Sequence, residues 1–401
     1  MTHHFSRRTL LGSSVGILGT AGLGSVAGAA EDQAAPSPPV VACGGTHLAQ
    51  DYSVVFHNSD RNVYVEGCGL VKLPDGTLVA VVPVVPSSTK GGWAARPSTT
   101  HIVRSTDGGQ TWNDVAQLPY YMAIPWVHDG ALYLFAFKAG TVYRNDDLFL
   151  HRSEDGGATW TDPVTLFKGH FWNCHCGMVQ REDRIYWSLC EFYGSKGTTP
   201  RSPRVIAGDL TGDPLDPAAW RMSNRPDFPG IPAQLGPSYD AGWLEQSVID
   251  VQGQLQVVCR VRRGTSIMNM SAVLNLKDDG ESLALKFFKF NSMPGGHLKF
   301  SIIYDEVSKM FWSPANPGTK YADRRFLMLL YSLDGLNWLP AGCIAAARSL
   351  RESFMYGYCM VDGDDMIAIS RTSSGADGMH NADYATFHRV KDFRRLALPL
   401  A

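Results

Sequence analysis

Apolar residues along this chain come in short runs separated by turn signals, and four stretches repeat one plan. Gly69–Pro74 leads through Asp75-Gly76 into Thr77–Val85, and Trp126-Val127 leads through His128-Asp129-Gly130 into Ala131–Phe137. Ser247–Val251, Gln252-Gly253 and Gln254–Val261 repeat it, as do Met360-Val361, Asp362-Gly363 and Asp364–Ser370. An Asp-Gly type pair between two apolar runs predicts a hairpin, because both central residues must take positive φ. No window of 12 residues holds a helical period. The pattern predicts an all-β fold.

A longer repeat sets the architecture. Ser105-Thr-Asp107-Gly108-Gly109-Gln-Thr-Trp112 returns as Ser153-Glu-Asp155-Gly156-Gly157-Ala-Thr-Trp160, starting 48 residues later, and loosely as Ser332-Leu-Asp334-Gly335-Leu-Asn337-Trp338. Ser and Asp side chains bond the backbone of a tight turn, Gly takes the positive φ, and Trp plugs the unit. The motif resembles the Asp box of the sialidase (neuraminidase) superfamily, the BNR repeat. That resemblance implies a six-bladed β-propeller of four-stranded antiparallel blades, starting near residues 62, 118, 170, 241, 296 and 354. Tyr384–Val390 is expected to close the ring.

Composition narrows the picture. The chain has 401 residues, 36 basic and 38 acidic side chains and a net charge of −2, which argues against a nucleic-acid partner. Residues 1–29 read as a twin-arginine signal peptide, with Arg7-Arg8 before a mild apolar stretch and Ala27-Gly28-Ala29 at its end. Residues 30–49 read as a flexible linker and 50–401 as the propeller. The expected partners are the twin-arginine export machinery and a glycan, with no membrane span, and the expected location is periplasmic or secreted. The eight cysteines do not make a disulfide-dense scaffold. Runs such as Val257-Val258-Cys259 and Gly342-Cys343-Ile344 are expected to bury free thiols. Cys174-His175-Cys176 lacks a second ligand pair at metal-finger spacing, so neither metal nor cofactor is assigned.

Propeller sites lie where the first strands of the blades begin. Trp243-Leu244-Glu245-Gln246-Ser247, followed by Arg260, resembles the sialidase segment in which a glutamate opens a blade and an arginine ends the returning strand. Phe354-Met355-Tyr356-Gly357-Tyr358 stands where sialidases hold a nucleophilic tyrosine, and Arg324-Arg325 where another arginine sits. The resemblance therefore implies Tyr356 as nucleophile and Glu245 as its base. Arg260 with Arg324 or Arg325 would be a clamp for a sugar carboxylate. Tyr358, two residues on, is expected on the same face as Tyr356.

Two departures stand out. Glu66, in Val65-Glu66-Gly67-Cys68, occupies the place of the first arginine of the family's triad, and is expected to pair with Arg260 or one of Arg324/Arg325. The segment Pro86–Ser98 holds no Asp or Glu and offers Lys90, Trp93 and Arg96 instead. His297 and His175 are candidate proton-transfer groups in place of the missing acid, with His380 and Asp383 as candidate substrate contacts. The reading is a sialidase-like exo-glycosidase acting on a terminal acidic sugar. A polysaccharide lyase and a non-catalytic glycan-binding propeller are the alternatives.

The export reading is tested by Arg7→Lys/Arg8→Lys. The double variant is expected to leave unprocessed precursor in the cytoplasm, and unchanged export in a fractionation assay would refute it.

Overall fold

The computed structural model describes residues 47–87, 98–138, 147–181, 183–193, 201–235, 241–264, 267–318 and 323–398. Six antiparallel sheets make six blades. The innermost strands run, in order, through Val63–Val65 and Gly69–Lys72, Met122–His128, Phe171–Trp172 and Val179–Arg181, Ala241–Val251, Ile303–Asp305, and Ser353–Asp362. In the first and third blades the innermost strand is broken, around Glu66–Cys68 and around Asn173–Met178.

The ring closes differently from the expectation. Tyr384–Val390 is the third strand of blade six, and Ser53–His57 from the start of the propeller pairs outside it as the fourth. The first described strand thus fastens the last blade.

Blades pack face to face, so their middle strands are buried on both sides and read as continuous apolar runs, like Leu78–Pro86 and Ala131–Phe137. The core is a set of wedges between neighbouring blades. Val79, Val81 and Ile102 of blade one meet Leu132 and Leu134 of blade two. Val248, Val257 and Leu274 of blade four meet Tyr186 and Val205 of blade three. Where the wedge between blades two and three widens, Phe135 stacks on Trp187 with ring centroids 4.6 Å apart. Cys259 is buried as expected, whereas Cys343 is only half-buried.

Two of the four turn pairs take positive φ at both residues, Asp129 and Gly130 at 46° and 80° and Gln252 and Gly253 at 51° and 90°, whereas in Asp75-Gly76 and Asp362-Gly363 only the glycine does, at 92° and 65°. The Ser-x-Asp-Gly turns join third to fourth strands in blades one, two and five. Asp107 accepts bonds from Ser105, Gln110 and Thr111, and Asp155 repeats the pattern with Ser153, Ala158 and Thr159. The Thr159 hydroxyl and amide, with Ser153 and the Ala158 amide, bring the Asp155 carboxyl down to about 2 against the opposing effect of burial. Because strands alternate in direction, these turns share the face of the first-to-second-strand hairpins, opposite the end where the innermost strands begin.

The turn in blade one also secures the closure. Trp112 Nε1 donates to Ser53 Oγ at 3.0 Å, on the fastening strand. Gly109 has φ of 94°, and a Cβ there would come within 2.3 Å of the Phe387 ring. Gly109→Ala combines backbone strain with that clash and is expected to cost at least about 1–3 kcal/mol. Chemical denaturation measures it; a variant as stable as the parent would show that this turn does not hold the ring shut.

Candidate active site

Two strand irregularities build the site. In the pairing of Ala241–Val251 with Gln254–Arg263 the register shifts between Leu244 and Ser247. In the pairing of Ser353–Asp362 with Asp365–Ser373 it shifts between Met355 and Tyr358. At these bulges Glu245 has φ of 51° and Tyr356 of 54°. Neither residue is glycine, so each conformation costs about 1–3 kcal/mol and must be held by its surroundings.

Those surroundings are visible. Gln246 carbonyl, freed from the ladder, accepts from Ser188 Oγ at 2.9 Å. Gly357 carbonyl accepts from Lys299 Nζ at 2.7 Å and Ser301 Oγ at 3.1 Å. The Lys299 side chain is buried, and an interior ammonium is tolerable only when its donors are satisfied. It reaches the Tyr356 carbonyl as well, at 3.4 Å.

The two bulges bring together groups 111 positions apart: the Tyr356 hydroxyl donates to Glu245 Oε1 at 2.9 Å. Arg260 Nη1 donates to Glu245 Oε2 at 2.6 Å, and its Nε to the His297 carbonyl at 2.9 Å. The Arg324 guanidinium lies 5.4 Å from the Tyr356 ring centroid, with Nη1 3.2 Å from Met355 Sδ. Arg371 completes the surround, 4.9 Å from the Tyr356 ring and 4.8 Å from that of Tyr64. Its Nη1 donates to Glu66 Oε1 at 2.6 Å.

Charge fixes the resting protonation. Burial alone would raise the Glu245 carboxyl. The Arg260 charge and hydrogen bond, the Tyr356 hydroxyl and the Arg324 charge outweigh it and hold Glu245 below the ordinary carboxylate range. Burial, and then the Glu245 charge, push the Tyr356 phenol far up in spite of Arg324 and Arg260. The pair therefore rests as phenol and carboxylate, a protonated nucleophile against an ionised base. Burial lowers Arg324, which faces no carboxylate of its own among the described residues.

Several sequence expectations need correction. Glu66 lies on the floor but pairs with Arg371, not with Arg260, Arg324 or Arg325. Arg325 turns away: its Nε and Nη2 bond Asp323 at 2.9 and 2.8 Å. His297 is buried beside the arginines, and burial with the Arg260 and Arg324 charges brings it down to about 4, so at neutral pH it has no proton to give as an imidazolium. His175 and Tyr358 lie one layer deeper. The bulge breaks the period-two alternation, so Tyr358 does not share the face of Tyr356. Its ring stacks on His175, with centroids 3.6 Å apart. Asp383 is engaged by the Ser374 amide and hydroxyl, at 2.8 and 2.5 Å. His380 is exposed at the rim, its Nδ1 3.3 Å from Arg371 Nη2. Lys90, Trp93 and Arg96 fall outside the described residues.

Arg371, Tyr64 and Lys299 were not anticipated. Arg371 had a signal: Glu245 and Arg260 are 15 positions apart, and the same interval separates Tyr356 from Arg371. Each bulged residue thus has an arginine on the neighbouring strand of its own blade.

No family model and no curated protein matches the sequence. Solved structures do match in shape. An α-L-arabinanase of Penicillium chrysogenum, complexed with arabinobiose, superposes with a TM-score of 0.55 at 14% identity, covering 88% of this chain and 100% of its own. A Hadza microbial sialidase gives 0.58 at 16% identity, over 85% of this chain and 68% of its own. The α-L-arabinofuranosidase of Fusarium graminearum gives 0.56 at 12%, over 86% and 98%. At such identities the likeness establishes the fold: the chain is a six-bladed β-propeller of the kind shared by sialidases and arabinan-cleaving glycosidases.

Proposed function

We propose that the protein is a glycoside hydrolase that releases a terminal acidic sugar, with Tyr356 as nucleophile and Glu245 as its base. The observation behind this is the hydrogen bond between the two, made by side chains on strained backbone and set among three arginines. As the phenol oxygen attacks the anomeric carbon, its proton passes to Glu245. The bond to the leaving oxygen breaks as that oxygen is protonated, and water then hydrolyses the glycosyl-tyrosine. His380, exposed at the rim, is the histidine assigned in this proposal to protonate the leaving oxygen. The neutral state of His297 and the depth of His175 argue against either as the donor.

The clamp is Arg260, Arg324 and Arg371. Two of the three positive charges are matched by Glu245 and Glu66, which leaves that of Arg324 to meet the substrate's carboxylate. Export through the twin-arginine machinery, placing the enzyme in the periplasm or outside the cell, belongs to the same proposal.

On a panel of acidic glycosides, Tyr356→Phe is expected to abolish turnover while sugar binding stays within a few-fold. Glu245→Gln should cost on the order of 10²–10⁴-fold in kcat. Arg324→Met should weaken binding of an acidic sugar by roughly 10–100-fold, the loss of a charged hydrogen bond. Full activity in Tyr356→Phe would refute the mechanism, and an unsaturated product absorbing in the ultraviolet would identify a lyase.

The pH profile is a separate check. Glu245 acts as the carboxylate and is held below the usual 4.5, so the acid limb of kcat/KM should fall below about pH 4.5. An acid limb near pH 6.5 would give the role of base to a histidine in place of Glu245.

A further inference from the structure

The propeller holds a cavity apart from the arginine cluster. At the face where the innermost strands end, a cavity of about 700 Å³ is lined by residues from all six blades. Such a volume lies within the usual range for small-molecule sites, about 300–1,000 Å³. It is separate from the arginine mouth. Glu245 lies in the first half of the strand Ala241–Val251, whereas Asp250 and the Gln252-Gly253 turn at the end of that strand line this cavity.

His175 and Tyr358 meet here. His175 is only 2% exposed, and its Nδ1 accepts the Leu70 amide hydrogen at 3.2 Å. That bond fixes the neutral tautomer with hydrogen on Nε2. Burial, and then the Lys299 charge, keep the ring neutral by lowering it well below the ordinary histidine value. Neither His175 Nε2 nor the Tyr358 hydroxyl has a hydrogen-bond partner among the described residues. Both groups belong to the cavity wall and neither atom is sealed from solvent, so each can donate to a molecule held there.

The rest of the lining limits what fits. Pro125, Trp126, Val248 and Ile302 provide apolar surface beside the two polar groups. At the rim the charges cancel within the protein: Arg181 Nε donates to Asp250 at 2.5 Å, and Lys309 Nζ to Glu306 at 3.0 Å. Among the described residues of this lining no cation is left over for an anion, in contrast to Arg324 in the mouth. A neutral molecule with an apolar face and hydroxyl edges matches this wall, and a sugar ring has that character.

We infer that this cavity is a second, non-catalytic binding site for a short neutral oligosaccharide, with His175 and Tyr358 bonding its hydroxyls and Trp126 and Pro125 against its apolar face. It stands independently of the hydrolase mechanism, because no group of the mouth takes part.

Calorimetric titration with neutral di- and trisaccharides (cellobiose, maltotriose, arabinobiose), together with crystals soaked in the same sugars, tests it. Saturable binding is expected in the parent protein and unchanged in Arg324→Met. Tyr358→Phe keeps the stacked ring and should weaken binding by roughly 5-fold, one neutral hydrogen bond. Met178→Trp should fill the cavity and abolish it. Absence of saturable binding by every sugar would overturn the inference. Loss of binding in Arg324→Met would place the sugar in the mouth and overturn it too. Equal affinity in the parent and Tyr358→Phe would reduce the cavity to an apolar crevice.

Discussion

The hydrogen bond from Tyr356 to Glu245 spans the propeller axis, and it exists because two strands leave regular geometry at corresponding places. Each bulge turns a side chain inward and frees a carbonyl from its ladder. Neighbouring blades supply the missing donors, a serine hydroxyl for one and a buried lysine for the other. The strain at Glu245 and Tyr356 is therefore held by contacts between blades, and those contacts require a closed ring. This couples Ser53–His57, far along the chain, to the aim of the phenol.

Electrostatics gives the two ends of the channel different tasks. The mouth concentrates three arginines against two carboxylates, at a depth where screening by water is weak. The exchange of charge between Glu66 and Arg371 keeps a guanidinium against the Tyr356 ring although the expected arginine position carries an acid. At the other end, charges pair at the rim and the wall offers only neutral donors. One end thus carries three guanidinium groups against two carboxylates, and the other carries paired charges beside neutral donors.

The propeller was legible because its signals are local. Gln252-Gly253 and the Ser-x-Asp-Gly turns specify backbone within a few residues, and the structure forms them there. Ring closure was misplaced because Tyr384–Val390 and Ser53–His57 lie at opposite ends of the chain, and pairing at that separation leaves no local mark. Glu245 and Tyr356 were found by resemblance, whereas Arg371 answers to a carboxylate 305 positions away. Tyr358 was misassigned for a physical reason: strand alternation predicts its face only when no bulge intervenes. Arg324 and Arg325 are neighbours pointing to opposite sides, and only packing shows which one enters the channel. The histidines were read by residue type, but depth decides their chemistry, since burial and nearby arginines keep His297 neutral.

The most direct test of a tyrosine nucleophile is to trap the glycosyl-enzyme. Incubation with a fluorinated acidic glycoside that forms the intermediate quickly and releases it slowly, followed by digestion and mass spectrometry, locates the sugar. The expected result is one glycosyl group on Tyr356, absent from Tyr356→Phe and formed far more slowly in Glu245→Gln. A sugar found on Glu245, or steady turnover of the reagent with inversion at the anomeric carbon and no covalent adduct, would contradict it.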